Sequence, residues 1–418
     1  YIIITEDTYV DDMIGGGETE EECDEQIYQV NHVLQAGGFT TKYTIKSGQT
    51  DTDDTLRVLG YKWTVAKDLI SPGFTELNFN SKKRGAKAPN PFPIQKPGDV
   101  SLLLSSKDIS RRMIVSKMAE FWDPCGFWEP YKLQLKLDSQ VLNGKEWDTP
   151  VSPDLQDYWI SRFQEFLEIP RLTMTRYIFP KDVKVEAIRL LCISDAAEFA
   201  GGCAIYAGVE LPDGSFSCKL VASKSHLMSN SVPRNELEGV RISAGLALDV
   251  KSSIGNRVKE VIFVTDSSIA LSWCHNTKKR LRLYCLNRVM EIRRLIEAAV
   301  GQTDNIPLYH IDGKINPADY ITKPSNLKPA DLIEESEWIS GFPWMSLPTK
   351  AMPLTSFSDL QLSATQNQLI NAECFPEVTL PSEKIALLND SPHFEPDFTH
   401  CSGCIANRGN FTLENCYG

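Results

Sequence analysis

The sequence predicts an α/β fold across its second half: a mixed sheet with flanking helices. Three observations carry this. Ile188–Ser194, Gly201–Val209 and Ser215–Ser223 are apolar runs of strand length, the last two joined by the turn Pro212-Asp-Gly214. A helical pattern over Glu236–Val250, a strand over Val258–Thr265, a long basic amphipathic helix over Leu281–Val300 and a strand over Ile306–Ile311 follow. Strands first in a run and then alternating with helices give a mixed sheet. The 418 residues leave room for two to four domains, at roughly 100–200 residues each. With 42% hydrophobic and 23% charged residues, collagen-like, coiled-coil and wholly disordered chains are excluded. No apolar run approaches the roughly 20 residues of a membrane helix.

The first half is less regular. Ile2-Ile-Ile4 reads as the interior of a strand. With Tyr1 rather than Met at the start and no basic segment before it, the chain reads as a fragment of a longer polypeptide without a secretory signal. Tyr9-Val-Asp-Asp-Met-Ile14 and Gly15-Gly-Gly17 precede a helical pattern (Ile27, Val30, Val33, Leu34) that starts in acids and ends at Gly37-Gly38. Phe39–Ile45, Leu56–Trp63 and Leu69–Phe79 read as strands, and 81–100 as a linker. Residues 107–143 are helical around a break at Asp123-Pro-Cys-Gly126, and 152–168 form another helix. Asn316-Pro-Ala-Asp319 opens a turn and helix, and 326–418, rich in Ser, Pro and Asn, is expected to be poorly structured.

Forty-three Lys and Arg against 55 Asp and Glu give a net charge of −12, which by itself argues against a nucleic-acid binder. The charge is uneven, however. Residues 1–25 hold acids only, whereas 278–294 hold Lys278, Lys279, Arg280, Arg282, Arg288, Arg293 and Arg294 against Glu291 alone. The eleven cysteines are scattered in apolar contexts, so a reducing intracellular compartment fits better than a disulfide framework.

Two constellations point to chemistry. Asp11 and Asp12 are adjacent carboxylates in a turn between apolar segments; such pairs hold divalent metal, although a lone Asp-Asp is more often a solvated turn. Asp195 ends the first strand of the α/β region, Glu236 opens its first helix, Asp266 ends the fourth strand and Asp319 follows the fifth. Any one of them is more often a surface acid. Neighbouring strand ends converge on one crevice, however, and four acids there repel one another unless cations neutralise them. Two Mg²⁺ or Mn²⁺ ions about 3.5–4 Å apart would do so, activating water and steadying a leaving 3′ oxygen in phosphodiester hydrolysis.

The segment Tyr9-Val-Asp11-Asp12, with Leu59-Gly-Tyr-Lys-Trp63 downstream, resembles the palm of reverse transcriptases, and the order of the four later acids resembles ribonuclease H. Pro233-Arg-Asn-Glu-Leu237, Asn316-Pro-Ala-Asp319, Phe121-Trp-Asp-Pro-Cys-Gly126, Trp338 and Phe342-Pro-Trp344 resemble the Pol polyprotein of Bel/Pao-type LTR retrotransposons. The resemblance implies the C-terminal part of a palm over 1–80, a linker and helical thumb or connection over 81–185, an RNase H-like domain over 186–325, and a tail over 326–418. It implies that Asp195, Glu236, Asp266 and Asp319 are catalytic metal ligands, with Glu238 a neighbour of Glu236 in competition for the role. Asp11 and Asp12 become two of three polymerase carboxylates; the third and the fingers lie upstream, so polymerisation by this fragment alone is not expected. The implied substrate is an RNA–DNA hybrid, read through its backbone. Lys279, Arg282 and Arg288 are candidate phosphate contacts, and Ser267, Ser268 and Asn235 candidate sugar contacts. His310 reads as structural.

Cys401-Ser-Gly-Cys404, near His393, His400 and Cys416, has zinc-knuckle spacing but does not reproduce the family's zinc module, so an unstructured tail is expected there instead. The implied partners are the hybrid and the missing polymerase half, with no membrane, and the implied location is the cytoplasm, in a virus-like particle, with access to the nucleus. A decayed or domesticated element that only binds nucleic acid or serves as a scaffold is the alternative; an integrase fits less well because it uses three acids.

Overall fold

The computed structural model describes residues 2–5, 7–9, 12–17, 19–48, 55–72, 99–100, 108–167, 169, 173–180, 183, 185–301, 305–323 and 328–375. Ile2–Thr5 is a helical turn (α1), not the expected strand. It has no strand partner among the described residues, and the Thr8 hydroxyl donates to the carbonyls of Ile3 and Ile4, closing the turn. The hairpin β1 (Thr8–Tyr9) and β2 (Asp12–Met13) leads to α2 (Glu20–Ala36), capped by Thr19 with three acids in its first turn. No side chain of α2 is buried, and Tyr28, Phe39 and Tyr43 are exposed. Residues 39–45 form no strand. They run back along α2, held by the Thr41–Asn31 hydrogen bond and by Lys46 on Glu20 and Asp24.

An antiparallel sheet follows in the order β3 (Thr55–Val58), β4 (Tyr61–Thr64), β5 (Leu69–Pro72) and β6 (Met174–Thr175). Between β5 and β6 lie α3 (Arg111–Glu120), α4 (Glu129–Asp138) and α5 (Pro153–Phe166). Asp123 ties these parts together. Its carboxylate accepts the N–H groups of Gly126, Phe127 and Trp128 (3.1, 3.1 and 2.8 Å) and the Tyr61 hydroxyl (2.9 Å), while Cys125 N–H donates to that hydroxyl oxygen (3.0 Å). Gly126 has φ 76°, and a Cβ on it would lie 2.1 Å from the Ser223 carbonyl oxygen, so only glycine lets this loop meet the next sheet.

The second half is a five-stranded mixed sheet. β7 (Ile188–Ala196), β8 (Ala200–Glu210) and β9 (Phe216–Leu227) form an antiparallel meander; β10 (Val258–Thr265) and β11 (Leu308–His310) lie parallel to β7, giving the order β11-β10-β7-β8-β9. Both faces are covered, which is why β7 reads as a continuous apolar run. Leu191, Ile193, Tyr206 and Val264 face a core shared with Trp128, Trp159 and Phe163. Leu190, Cys192, Ile205 and Phe263 face α6 (Val232–Ile254), α7 (Ser268–His275), α8 (Leu283–Val300) and α10 (Ala364–Ala372). The short helix α7 carries no periodic signal in the sequence, because all but its last residue are buried.

Residues 328–375 correct the expectation of a disordered tail. They include α9 (Glu337–Ser340) and fully buried Trp338, Ile339 and Met345. The Trp338 indole donates to the Phe127 carbonyl (2.8 Å), and its carbonyl accepts from the Tyr206 hydroxyl (2.8 Å). Buried Arg189 donates to the carbonyls of Met345 (2.6 Å) and Leu347 (3.0 Å) and stacks on Phe216 (3.6 Å). Long-range contacts, rather than local periodicity, order this segment. Residues 376–418, with Cys401 and Cys404, lie outside the described residues.

Candidate active site

Strand register brings the acids together. Ser194 of β7 pairs with Thr265 of β10, so Asp195 and Asp266, the next residue of each chain segment, stand at the same height at one end of the sheet. Asp319 arrives from a 3-10 turn over Pro317–Ile321. Buried Asn316 caps that turn, accepting from Ala318 N–H (3.0 Å) and donating to the Ser194 carbonyl (3.3 Å), which pins the Asn-Pro-Ala-Asp motif to β7. Carboxylate oxygens of Asp195, Asp266 and Asp319 lie within 4.8 Å of one another. Gly313 permits the close fit, since a Cβ there would sit 3.0 Å from an Asp266 oxygen.

Glu236, in the first turns of α6, flanks this triad. The Ser267 hydroxyl, itself the cap of α7, donates to its carboxylate at 2.5 Å. Its neighbour in the helix, Gly239, lies against β7: a Cβ there would come within 3.0 Å of the Asp195 carbonyl oxygen. Gly239→Val is therefore expected to push α6 outward and to cost about 1–3 kcal/mol through overpacking. The check is a denaturant midpoint measured beside hybrid cleavage; unchanged values for both would contradict the packing role.

The electrostatics are those of acids gathered without enough positive charge. Burial, then the charge of Asp266, raises the Asp195 carboxyl above its ordinary range. Burial raises Asp266 and Asp319 as well. Glu236 is pushed up to about 7, chiefly by burial and further by Asp266 and Asp195, against the Ser267 hydrogen bond. One cation intrudes: Lys323, with Nζ 2.7 Å from Asp319 and 4.0 Å from Asp195. Thr322 donates its hydroxyl to Asp195. Lys323 stands four residues after Asp319, the spacing of a helical ion pair, and that was the signal available to find it. Ser267 reads in the sequence as a candidate sugar contact beside Asp266; in the structure its hydroxyl caps α7 and donates to Glu236, a bond that spans 31 residues and has no local signal.

Other candidates fare differently. Glu238 is engaged by Arg241 (2.6 Å) and Arg288 (2.9 Å), which leaves Glu236 to the cluster. Arg288 is therefore committed to internal ion pairs with Glu238 and Glu291, and it departs from the expectation of a free phosphate contact. Arg282 is exposed, and exposed Lys279 donates to Asn371 (2.7 Å). Asn235 is fully buried and donates to the carbonyls of Ala197, Glu198 and Asn230, so it is structural and not turned to a sugar. Ser268 accepts from Gln366. His310 exchanges backbone hydrogen bonds with Thr355. Asp12 is exposed in β2, whereas Asp11 lies outside the described residues.

Comparison with known proteins gives one family match. Residues 110–267 match the Pao retrotransposon-like RNaseH-like domain, a span that includes Asp195, Glu236 and Asp266 and stops before Asp319. No curated protein matches the chain. Among solved structures, the N-terminal RNase H domain of Rv2228c from Mycobacterium tuberculosis is similar at 16% identity and TM-score 0.24, over 33% of this chain and 92% of that one. RNase H1 from Halobacterium salinarum NRC-1 is similar at 12% identity and TM-score 0.22, over 31% and 89% respectively. LC9-RNase H1, a type 1 RNase H with the type 2 active-site motif, is similar at 14% identity and TM-score 0.23, over 43% and 93%. Residues 110–267, which carry strands β7 to β10 of the mixed sheet, are thus similar to the Pao retrotransposon-like RNaseH-like domain.

Proposed function

We propose that the protein hydrolyses the RNA strand of RNA–DNA hybrids in a divalent-metal-dependent reaction, with Asp195, Glu236, Asp266 and Asp319 as the metal-holding catalytic carboxylates. The observation that carries this reading is the meeting of Asp195, Asp266 and Asp319 oxygens within 4.8 Å. In the same reading residues 186–325 are the nuclease domain, 1–80 the C-terminal part of a reverse-transcriptase palm with Asp11 and Asp12, and 81–185 the thumb or connection.

The residues present suit Mg²⁺ or Mn²⁺. The donors are all carboxylate oxygens, the hard ligands these ions take, with no imidazole or thiolate among them. The raised carboxyl groups and the Lys323 ammonium beside Asp319 and Asp195 both mark a place that lacks positive charge. When bound, a divalent pair supplies an activated water and neutralises charge on the leaving 3′ oxygen. The protein's own part is positional. Register fixes Asp195 and Asp266 side by side, the Asn316 cap aims Asp319, and Ser267 and Thr322 hold Glu236 and Asp195 by hydroxyl donation. In this reading Lys279 and Arg282, both exposed, contact the hybrid's phosphates, a contact that carries no base preference. Among the described residues no helix is long and apolar enough to cross a membrane, and the eight described cysteines are unpaired. The unpaired cysteines suit work in a reducing compartment, the cytoplasm or a virus-like particle within it.

The test is a labelled RNA–DNA hybrid incubated with the protein and Mg²⁺ or Mn²⁺. Cutting confined to the RNA strand of the hybrid, and abolished by a chelator, is the expected result. A folded protein that leaves the hybrid intact with either metal overturns the reading.

A further inference from the structure

Four cations fall within five residues of the loop between α7 and α8: Lys278, Lys279, Arg280 and Arg282, all exposed. None of the four has an acidic partner among the described residues. Repulsion would spread such a loop unless something held it, and the chain's C-terminal described segment does so. Arg282 N–H donates to the Glu373 carbonyl (2.7 Å), Phe375 N–H donates to the Arg280 carbonyl (2.9 Å), and Leu281 bridges Cys374 as a short antiparallel pair. Lys279 Nζ donates to the Asn371 side chain (2.7 Å), and the Arg280 guanidinium lies 5.2 Å from the Phe375 ring centre.

The segment is itself anchored beside the carboxylates. Gln366 donates to the Ser268 hydroxyl (2.7 Å), two residues after Asp266, and the Trp273 indole donates to the Ile370 carbonyl (3.3 Å). Glu373, in the strap itself, is turned to Arg234 (2.7 Å), and among the described residues no acid pairs with the loop's four cations. A loop that is both fixed and unneutralised is built for an anion from outside.

We infer that α10 with Glu373–Phe375 is a positioning strap, which fixes Lys278–Arg282 as a docking ledge for a phosphodiester backbone at the opposite end of α7 from the carboxylate cluster, one eight-residue helix of about 12 Å away. This rests on the nuclease reading for the identity of the polyanion and adds the element that presents it. The family match ends at Ser267, so neither ledge nor strap falls within it.

The test is hybrid binding followed by fluorescence anisotropy across a salt series without divalent metal, with melting curves as the check on folding. Two changes are compared in the full chain: K278E with R280E in the ledge, and Q366A with N371A in the strap. The ledge variant is expected to bind at least about tenfold more weakly, with a salt slope shallower by about 0.9 for each phosphate that goes unneutralised. The strap variant keeps all four cations, yet is expected to bind about three- to tenfold more weakly with a shallower slope, because the charges no longer meet phosphates in register. A merely structural strap would lower the melting temperature and leave the slope alone. N371A by itself serves if the double change does not fold. If the wild type cuts hybrid while folded strap variants bind it with wild-type affinity and slope, the strap inference fails and the nuclease reading stands. If the wild type neither binds nor cuts hybrid, both fail together.

Discussion

Asp266→Asn is expected to lower hybrid cleavage by about three orders of magnitude or more, while the metal-free protein melts at the same temperature or higher. The loss follows from removing one of the carboxylates that hold the cations, whose stabilisation of transition-state charge is worth several kcal/mol, and each ~1.4 kcal/mol is a factor of ten in rate. The opposite sign for stability follows from the site's own electrostatics. Burial holds the Asp266 carboxyl above its ordinary range, and the charge of Asp319 adds to this. A neutral amide of the same shape relieves that penalty. Single-turnover cleavage and a thermal melt, both on the purified full chain, check the two halves. Cleavage within tenfold of wild type would remove Asp266 from the catalytic set.

Asp123→Ala is expected to destabilise the protein by about 3–5 kcal/mol, the range for stripping a buried charge from its partners. Three backbone N–H groups and the Tyr61 hydroxyl lose their acceptor at once, in a site where Asp123 is 5% exposed. Against a typical total of about 5–15 kcal/mol, that loss is enough to threaten folding at 37 °C. Asp123→Asn, which keeps one acceptor oxygen, should fall between the two. Urea denaturation measures all three proteins. A midpoint for Asp123→Ala equal to that of wild type would show that the loop closes without the carboxylate.

The second half of the fold was legible because its strands are long and its signals local. Apolar runs of strand length at 188–194 and 258–265, and the Pro-Asp-Gly turn that joins 201–209 to 215–223, fix element type by length and turn signals. The same strand ends located Asp195 and Asp266, since register within a buried sheet leaves little freedom. What was not legible depended on packing between distant segments. Trp338 is ordered by Phe127 and Tyr206, and the residues around Met345 by Arg189; nothing near them in sequence announces this. Arg288 reads as a phosphate ligand from its basic helix, yet Glu238, fifty residues earlier, claims it. Ile2-Ile-Ile4 shows the converse: β-branched residues favour a strand, but with no strand partner among the described residues, the backbone closes on Thr8.

The pH behaviour of the carboxylate cluster connects stability to cation binding. Glu236 ionises at about 7 in the folded protein against an ordinary 4.5, so the folded state holds its proton more tightly than the unfolded state does. Its contribution to stability is fully present below pH 4.5 and is lost as pH rises through about 7. Asp195, Asp266 and Asp319 are shifted in the same direction. A divalent cation must displace the Glu236 proton, so its affinity rises as that proton leaves. Calorimetric titration of Mn²⁺ into the metal-free protein at pH 6 and pH 8, for wild type and Asp195→Asn, tests the meeting of these carboxylates most directly. Saturable binding that is tighter at pH 8, releases protons and disappears in Asp195→Asn is the predicted result; no saturable binding, or equal binding by Asp195→Asn, would contradict it.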